Sequence, residues 1–248
     1  MLFFKKNKPF LRDLLSNDYV DIHSHLLPNI DDGAKSLLDT IAMIKSLNSL
    51  GFTQYITTPH IISGFWDNTS ISIQDNLSAT VNSFPKELNS TVLNVAAEYM
   101  MDSNFLKLFK TEKLLTLKEN CVLVEMSYIN APLNLYDIIF QLQIAGYKPV
   151  LAHPERYNFY HFNLDEYRKL KNSGCYFQLN LLSAVGYYGP KISEVSDYLL
   201  KNNFIDFVGS DVHNNNHIDF LHKKIIIKNQ ENLKTAINNN QFFKNLNF

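Results

Sequence analysis

Short runs rich in β-branched and aromatic residues alternate along this chain with longer runs whose apolar residues recur every third or fourth position. Length and spacing separate the two kinds. Strands are expected at residues 19–26, 54–61, 91–99, 121–127, 148–152, 176–180 and 205–209. Between the first two, residues 36–50 place Leu37, Ile41, Ile44, Leu47 and Leu50 on one helical stripe, and Gly51 supplies a stop. Helices are also expected at 71–84, at 133–145 ahead of Gly146, at 164–171 and at 192–201, with 228–248 as a helix covering the base. The asparagine-rich segments 214–216 and 238–240 read as a loop and a helix end. Seven strands joined by helices or long connections favour parallel pairing, and closing them gives a barrel, although the pattern alone does not separate a closed ring from an open sheet.

The polar residues that interrupt the pattern fall at or just past the C-terminal ends of the expected strands. They are His23 and His25, Asp32, His60, Glu98, Glu125, His153, Asp211 and His213. Barrel enzymes build their sites at that end, because the loops that follow the strands form the rim there. Two imidazoles two positions apart on a strand point to one side and can share an ion. Pro59 ends a ladder just as His60 emerges. Glu98 and Glu125 are charges inside apolar runs, and an unpaired buried carboxylate costs roughly several kcal/mol. The only arginines are Arg12, Arg156 and Arg168, and neither strand places a lysine beside its glutamate, so metal ions are the better partners. Any one of these residues taken alone reads as an ordinary surface, capping or ion-paired group; the joint pattern does not. The other histidines, His161, His217 and His222, lie in polar or helical surroundings and read as surface residues. Five imidazoles and four carboxylates exceed what one tetrahedral ion uses and would serve two or three divalent ions; ligands without sulfur suit manganese, iron, zinc or magnesium.

Composition narrows the partners. With 23 basic and 24 acidic residues and a formal charge of -1, the chain has no global field for nucleic acid or an anionic membrane. Cys121 and Cys175 are far apart and outside any CxxC, so neither a disulfide framework nor a thiolate zinc site is expected, and a reducing cytoplasm is the simplest location. A cysteine-based phosphatase is excluded, because its loop needs an arginine six positions after the nucleophile and Ser127 and Leu181 stand there. No run approaches a membrane span, and residues 1–18 read as an amphipathic arm without the order of a signal peptide, making at most peripheral membrane contact. With no break in composition and no repeat, residues 19–248 are expected to form a single domain. The oligomeric state stays open.

The run His23-Ser24-His25, Asp31-Asp32-Gly33, Thr58-Pro59-His60, the isolated Glu98 and Glu125, His153-Pro154-Glu155-Arg156-Tyr157 and Ser210-Asp211-Val212-His213 resembles the PHP (polymerase and histidinol phosphatase) superfamily. Its closest resemblance is to the bacterial PHP-type protein-tyrosine phosphatases found with capsule and exopolysaccharide loci, and it extends from about Tyr19 to His213. The resemblance implies a distorted seven-stranded (β/α)7 TIM-like barrel with a trinuclear site. It further implies a first ion on His23, His25, Glu98 and Asp211, a second shared through Glu98 with Glu125 and His153, and a third on Asp32, His60 and His213. Arg156 matches the family's phosphate-binding arginine. The family's second arginine, beyond the SDxH motif, has no counterpart in Asn214-Asn215-Asn216-His217-Ile218, so either His217 substitutes or phosphate is held less firmly.

These expectations describe a manganese-type metal-dependent phosphatase in which Glu98 and Asp211 hold the ions that activate water and Arg156 binds phosphate. The expected substrate is a phosphotyrosine protein, above all the tail of a tyrosine kinase that controls polysaccharide export. The alternatives are a phosphatase of a small metabolite such as histidinol phosphate, and a non-catalytic module that binds phosphotyrosine. Phe65, Trp66 and Phe84 are candidates for an aromatic rim around a tyrosyl ring.

Overall fold

A computed structural model describes residues 8–16 and 18–244. Its strands, in chain order, are β1 (Tyr19–Asp21), β2 (Phe52–Thr57), β3 (His60–Ile61), β4 (Val92–Val95), β5 (Glu98–Met100), β6 (Cys121–Glu125), β7 (Lys148–Ala152), β8 (Tyr176–Asn180) and β9 (Phe207–Gly209). They pair in parallel throughout, as one sheet of order β1-β2-β4 and another of order β3-β5-β6-β7-β8-β9.

The seven expected strands are present as nine shorter ones divided between two sheets. Two expected strands are each broken in two: residues 54–61 at Thr58-Pro59, and residues 91–99 at Ala96-Ala97. Pro59 has no N–H to donate, and the chain steps from one sheet to the other there, with Thr58 N–H donating to the Ser24 carbonyl at 2.7 Å and Glu98 N–H to the Pro59 carbonyl at 3.1 Å. Strand β1 is shorter than expected. Beyond Asp21 the chain leaves ladder geometry, and an isolated parallel bridge, Ser24 to Val212, with the Asp211 N–H and Ser210 Oγ donating to the His23 carbonyl, links it to the segment after β9. Among the described residues the strands therefore do not form one continuous closed ladder.

The helices are α1 (Leu37–Ser49), α2 (Ser70–Asn82), α3 (Phe105–Thr111), α4 (Leu135–Ile144), α5 (Asp165–Asn172), α6 (Leu181–Ala184), α7 (Pro190–Lys201), α8 (Asn215–Leu221) and α9 (Gln230–Asn239). Helix α1 starts where Ser36 Oγ accepts the Asp39 N–H at 3.2 Å, and Gly51, at φ +104°, follows its end. Helices α3 and α8 were not expected. Each has seven residues and buries only two apolar side chains, Phe105 and Phe109 in one and Ile218 and Leu221 in the other, too few to mark a period. Asn214 caps α8, its Oδ1 accepting the His217 N–H at 3.2 Å, so the expected loop at 214–216 is a helix start. The C-terminal helix ends at Asn239 and a 3₁₀ turn, Asn240–Phe243, follows. Of the N-terminal arm, a 3₁₀ turn at Leu11–Asp13 is described, and it buries Leu11 against the body of the protein.

Two apolar clusters hold the fold. The larger joins the helices to the outer faces of the strands, with Tyr55, Val122, Val124, Leu151, Phe177 and Val208 among its members. The smaller contains Val20, Ile22, Ile56, Ala96, Cys121, Leu123, Val150, Ala152 and Phe243. Cys121 with Leu123, and Val150 with Ala152, are two positions apart, so the second cluster lies on the opposite strand face. Asn240 stitches the edge where β1 and β9 do not pair: its Nδ2 donates to the carbonyls of Val20 at 3.0 Å and Val208 at 2.8 Å, and its Oδ1 accepts the Val208 N–H at 3.1 Å.

Candidate metal centre

Continuing the face of the small cluster toward the C-terminal ends of the strands, Leu123 is followed two residues on by Glu125, and Ala96 by Glu98. The apolar face thus becomes ionisable over one residue pair. Glu98 is fully buried and faces four histidines, with Oε2 3.2 Å from His23 Nε2, 3.5 Å from His25 Nε2 and 3.2 Å from His60 Nδ1, and Oε1 3.1 Å from His153 Nε2. Across the site Asp211 Oδ1 lies 3.2 Å from His23 Nε2 and 3.4 Å from His25 Nε2. Glu125 Oε1 is 2.9 Å from His60 Nδ1, while Asp32 Oδ1 sits 3.5 Å from His60 Nε2 and 3.4 Å from His213 Nε2.

All nine sequence-derived ligand candidates therefore meet in one place. They fall into four overlapping groups: His25, Asp32, His60 and His213; His23, Glu98 and His153; His23, His25 and Asp211; and His60, Glu98 and Glu125. The grouping differs from the expected one in three respects. His25 also joins the Asp32 set, and His60 pairs with the two glutamates, while His153 shares Glu98 with His23.

Backbone geometry explains how neighbouring residues reach the same site. His153 (φ 37°) and Asp211 (φ 51°) are in the left-handed region, which costs a non-glycine residue about 1–3 kcal/mol and persists only where the surroundings enforce it. That twist lets Ala152 stay in the apolar cluster while His153 turns into the polar one. Close approach is needed as well. A Cβ on Gly33 would lie 2.2 Å from the His25 carbonyl oxygen, and one on Gly209 would lie 2.5 Å from His23 Cβ.

Hydrogen bonds set the imidazoles for metal binding. His23 Nδ1 is 2.7 Å from Gln178 Oε1, His25 Nδ1 is 2.7 Å from Asp31 Oδ2, and His213 Nδ1 is 2.9 Å from the Asp211 carbonyl. Each outer acceptor holds a proton on Nδ1 and leaves the Nε2 lone pair facing the carboxylates, the arrangement that orients metal-ligating histidines. His23 Nε2, His25 Nε2, His60 Nδ1, Glu98 Oε2 and Glu125 Oε1 are buried without a hydrogen-bond partner although opposite charges lie about them. Divalent cations fit that donor set: the lone pairs converge, and sulfur is absent.

The electrostatics carry the same signature. Burial opposes protonation of His23, but Glu98 and Asp211 outweigh it and lift its pKa to about 10. Burial and the charge of Glu98 push Glu125 up to about 7. Burial and the nearby Arg156 guanidinium depress His153 to about 4. Charges forced together in this way have pKa values split widely apart, as at sites that hold ions or do acid–base work.

Arg156 borders the cluster on a 3₁₀ turn, Pro154–Arg156. One guanidinium nitrogen donates to Asp211 Oδ2 at 2.7 Å, and the guanidinium carbon lies over both the Tyr128 and the Tyr188 ring, 4.8 and 4.3 Å from their centroids. An open cleft of about 350 Å³ is lined by Arg156, Asp32, Tyr187, Tyr188, His213 and His217. His217 stands in its wall, and its Nδ1 accepts the His213 N–H at 3.3 Å. Gln178, Asp31, Asn180, Tyr128 and Tyr188 were not among the expected site residues. Asp31 stood beside Asp32 in the quoted motif, and Gln178 interrupts the apolar run of β8; nothing along the chain distinguishes the two tyrosines. His161, expected on the surface, is buried with Nε2 2.8 Å from the Glu155 carbonyl, a structural role. Of the suggested rim, Phe65 is exposed, Trp66 lines an apolar hollow of about 260 Å³ with Ile61, Tyr99 and Phe105, and Phe84 packs on the core.

Three comparisons bear on this site. The family model described as "Capsular polysaccharide synthesis, CpsB/CapC" matches residues 19–245. The tyrosine-protein phosphatase YwqE of Bacillus subtilis is 29% identical over 202 residues, covering 79% of this chain and 77% of YwqE. The tyrosine-protein phosphatase CpsB of Streptococcus pneumoniae is 27% identical over 202 residues, 79% of this chain and 83% of CpsB. A crystal structure from work on those two proteins, described as unique metal-dependent tyrosine phosphatases, superposes with a TM-score of 0.76 at 28% identity, covering 87% of this chain and 85% of that one.

Proposed function

The chain belongs to the CpsB/CapC family of capsular polysaccharide synthesis, and from that premise and the site we propose that it is a metal-dependent protein-tyrosine phosphatase. The observation that carries the reading is the convergence of five imidazoles and four carboxylates beside an arginine fork at an open cleft. In this proposal His23, His25, Asp32, His60, Glu98, Glu125, His153, Asp211 and His213 hold two or three divalent ions, most readily manganese, with iron, zinc or magnesium as alternatives. Ions held there lower the pKa of water and neutralise charge developing on a phosphoryl group. We read residues 19–248 as one PHP unit, its two sheets being halves of a distorted seven-stranded barrel joined across Ser24 and Val212, with residues 1–18 as its arm.

The protein's own groups do the rest. Arg156 presents a planar fork to the phosphoryl oxygens, and two aromatic rings and the Asp211 carboxylate hold that fork in place before substrate arrives. His217, accepting at Nδ1, is a neutral imidazole whose ring proton sits on Nε2, so it can donate one hydrogen bond where relatives use a second arginine. A tyrosyl oxygen, with a free pKa of about 10, leaves with less protonation than an alkoxide would. An open cleft suits a side chain presented by another protein, and the tail of a tyrosine kinase acting in polysaccharide export is the substrate that fits the family. The described residues contain no helix long and apolar enough to cross a membrane, and the buried free thiols Cys121 and Cys175 suit a reducing cytoplasm.

Hydrolysis of a phosphotyrosine peptide beside histidinol phosphate, with manganese supplied or chelated, tests the reading. Metal-dependent release from the peptide, lost in His23→Ala, is the expected result. Preference for histidinol phosphate would move the same site to a small metabolite, and no turnover of either would leave a binding module.

A further inference from the structure

Tyr128 lies three residues beyond Glu125, at the border between the ligand cluster and Arg156. Its ring stacks on His153 with centroids 5.7 Å apart and an interplanar angle of 25°, and it also lies against the Arg156 guanidinium. Both contacts could be made by phenylalanine. The extra atom is the hydroxyl, which lies 3.4 Å from His153 Nε2, the same nitrogen that faces Glu98. Once that nitrogen's lone pair is committed to an ion it no longer accepts a hydrogen bond, and the phenol must find another acceptor. With its ring 4.8 Å from the Arg156 guanidinium carbon and its hydroxyl 3.4 Å from His153 Nε2, Tyr128 bridges the arginine and the ligand cluster, so a phosphoryl oxygen bound between them is an acceptor within its reach.

Resting on the phosphatase reading above, we propose that the Tyr128 hydroxyl donates a hydrogen bond to a phosphoryl oxygen of the bound substrate, which makes Tyr128 a catalytic residue besides Arg156. The bond is charge-assisted and adds one donor to those of the arginine fork. Tyr188, its ring centroid 4.3 Å from the guanidinium carbon, also positions the arginine, and its hydroxyl oxygen accepts from Asn180 Nδ2 at 3.2 Å; of the two phenols it is Tyr128 whose hydroxyl lies against a candidate ligand nitrogen.

The test compares manganese-loaded wild type, Tyr128→Phe and Tyr128→Ala by metal content, by calorimetric titration with inorganic phosphate and by kcat/KM on a phosphotyrosine peptide. Tyr128→Phe should keep the metal content and the ring stack, yet bind phosphate roughly tenfold more weakly and lose roughly tenfold in kcat/KM, the scale of one hydrogen bond to a charged group. Tyr128→Ala should lose more, because the ring against Arg156 goes too. Unchanged phosphate affinity in Tyr128→Phe overturns the proposal whatever the turnover does, and so does a loss of metal, which would mean that the hydroxyl supports His153 instead. A wild type that fails to cleave the peptide would sink the phosphatase reading, while the phosphate titration would still decide on Tyr128.

Discussion

Cys121 and Leu123 on β6 lie in a dry apolar cluster, whereas Glu125, next on the same face, stands among histidines with an unpartnered buried oxygen. A similar change, from Ala96 to Glu98, occurs across the break between β4 and β5. One end of the shared strand face is built as a protein core: Val20, Ile22, Ile56, Leu123 and Val150 are fully or almost fully buried, each contributing about 1.5–3 kcal/mol through removal from water. The other end gathers charged and polar groups whose desolvation works against folding until cations neutralise them. The difference teaches that stability and chemistry are separated along the strands by one residue pair, with the apolar end fixing the strand ends whose side chains form the site.

Substitutions at the two ends should therefore fail in different ways. Glu98→Gln preserves shape and removes the charge shared by four histidines, so kcat should fall by on the order of a thousandfold while the metal-free protein unfolds at a temperature closer to wild type than Leu123→Ala does. A Glu98→Gln enzyme with near-normal turnover would show that the polar end is not the catalytic one. Arg156→Ala should lose roughly a hundredfold in kcat/KM with full metal content, measured by elemental analysis alongside kinetics. Leu123→Ala is the converse: a loss of about 2–5 kcal/mol in denaturant unfolding with kcat of the folded fraction little altered. If its turnover fell as far as that of Arg156→Ala, the two ends would not be separable. A finer probe is Gln178→Leu, which removes the acceptor for His23 Nδ1 and should weaken manganese binding about 10- to 100-fold without the unfolding penalty of Leu123→Ala. The smallest effect is expected at the base, where Asn240→Ala leaves the Val20 and Val208 backbone groups unpaired and should cost about 1–3 kcal/mol of stability with no change in metal affinity.

Much of the fold was legible because its strands are short apolar runs bounded by polar residues. β7 and β8 have the expected limits, and the helix expected at 36–50 differs from α1 by one residue at each end. Where local pattern was thin, the reading failed. The polar run at 214–216 hid the start of α8, and nothing in 91–99 marked the break at Ala96-Ala97, which depends on the sheet to which each half bonds. The comparisons support the family and the activity read from the motifs.

The sequence by itself determined which residue types stand at the strand ends, since an imidazole or carboxylate interrupting an apolar run is visible without coordinates. It could not determine how they combine. His153 follows Ala152, and Asp211 lies two residues beyond Gly209, yet His153 and Asp211 reach the cluster through left-handed backbone that only the packed surroundings enforce. Nor could it place Tyr128 and Tyr188 against Arg156, because residues brought together from three separate loops share no local spacing. Local periodicity reports the face on which a residue starts; long-range packing decides which residues meet.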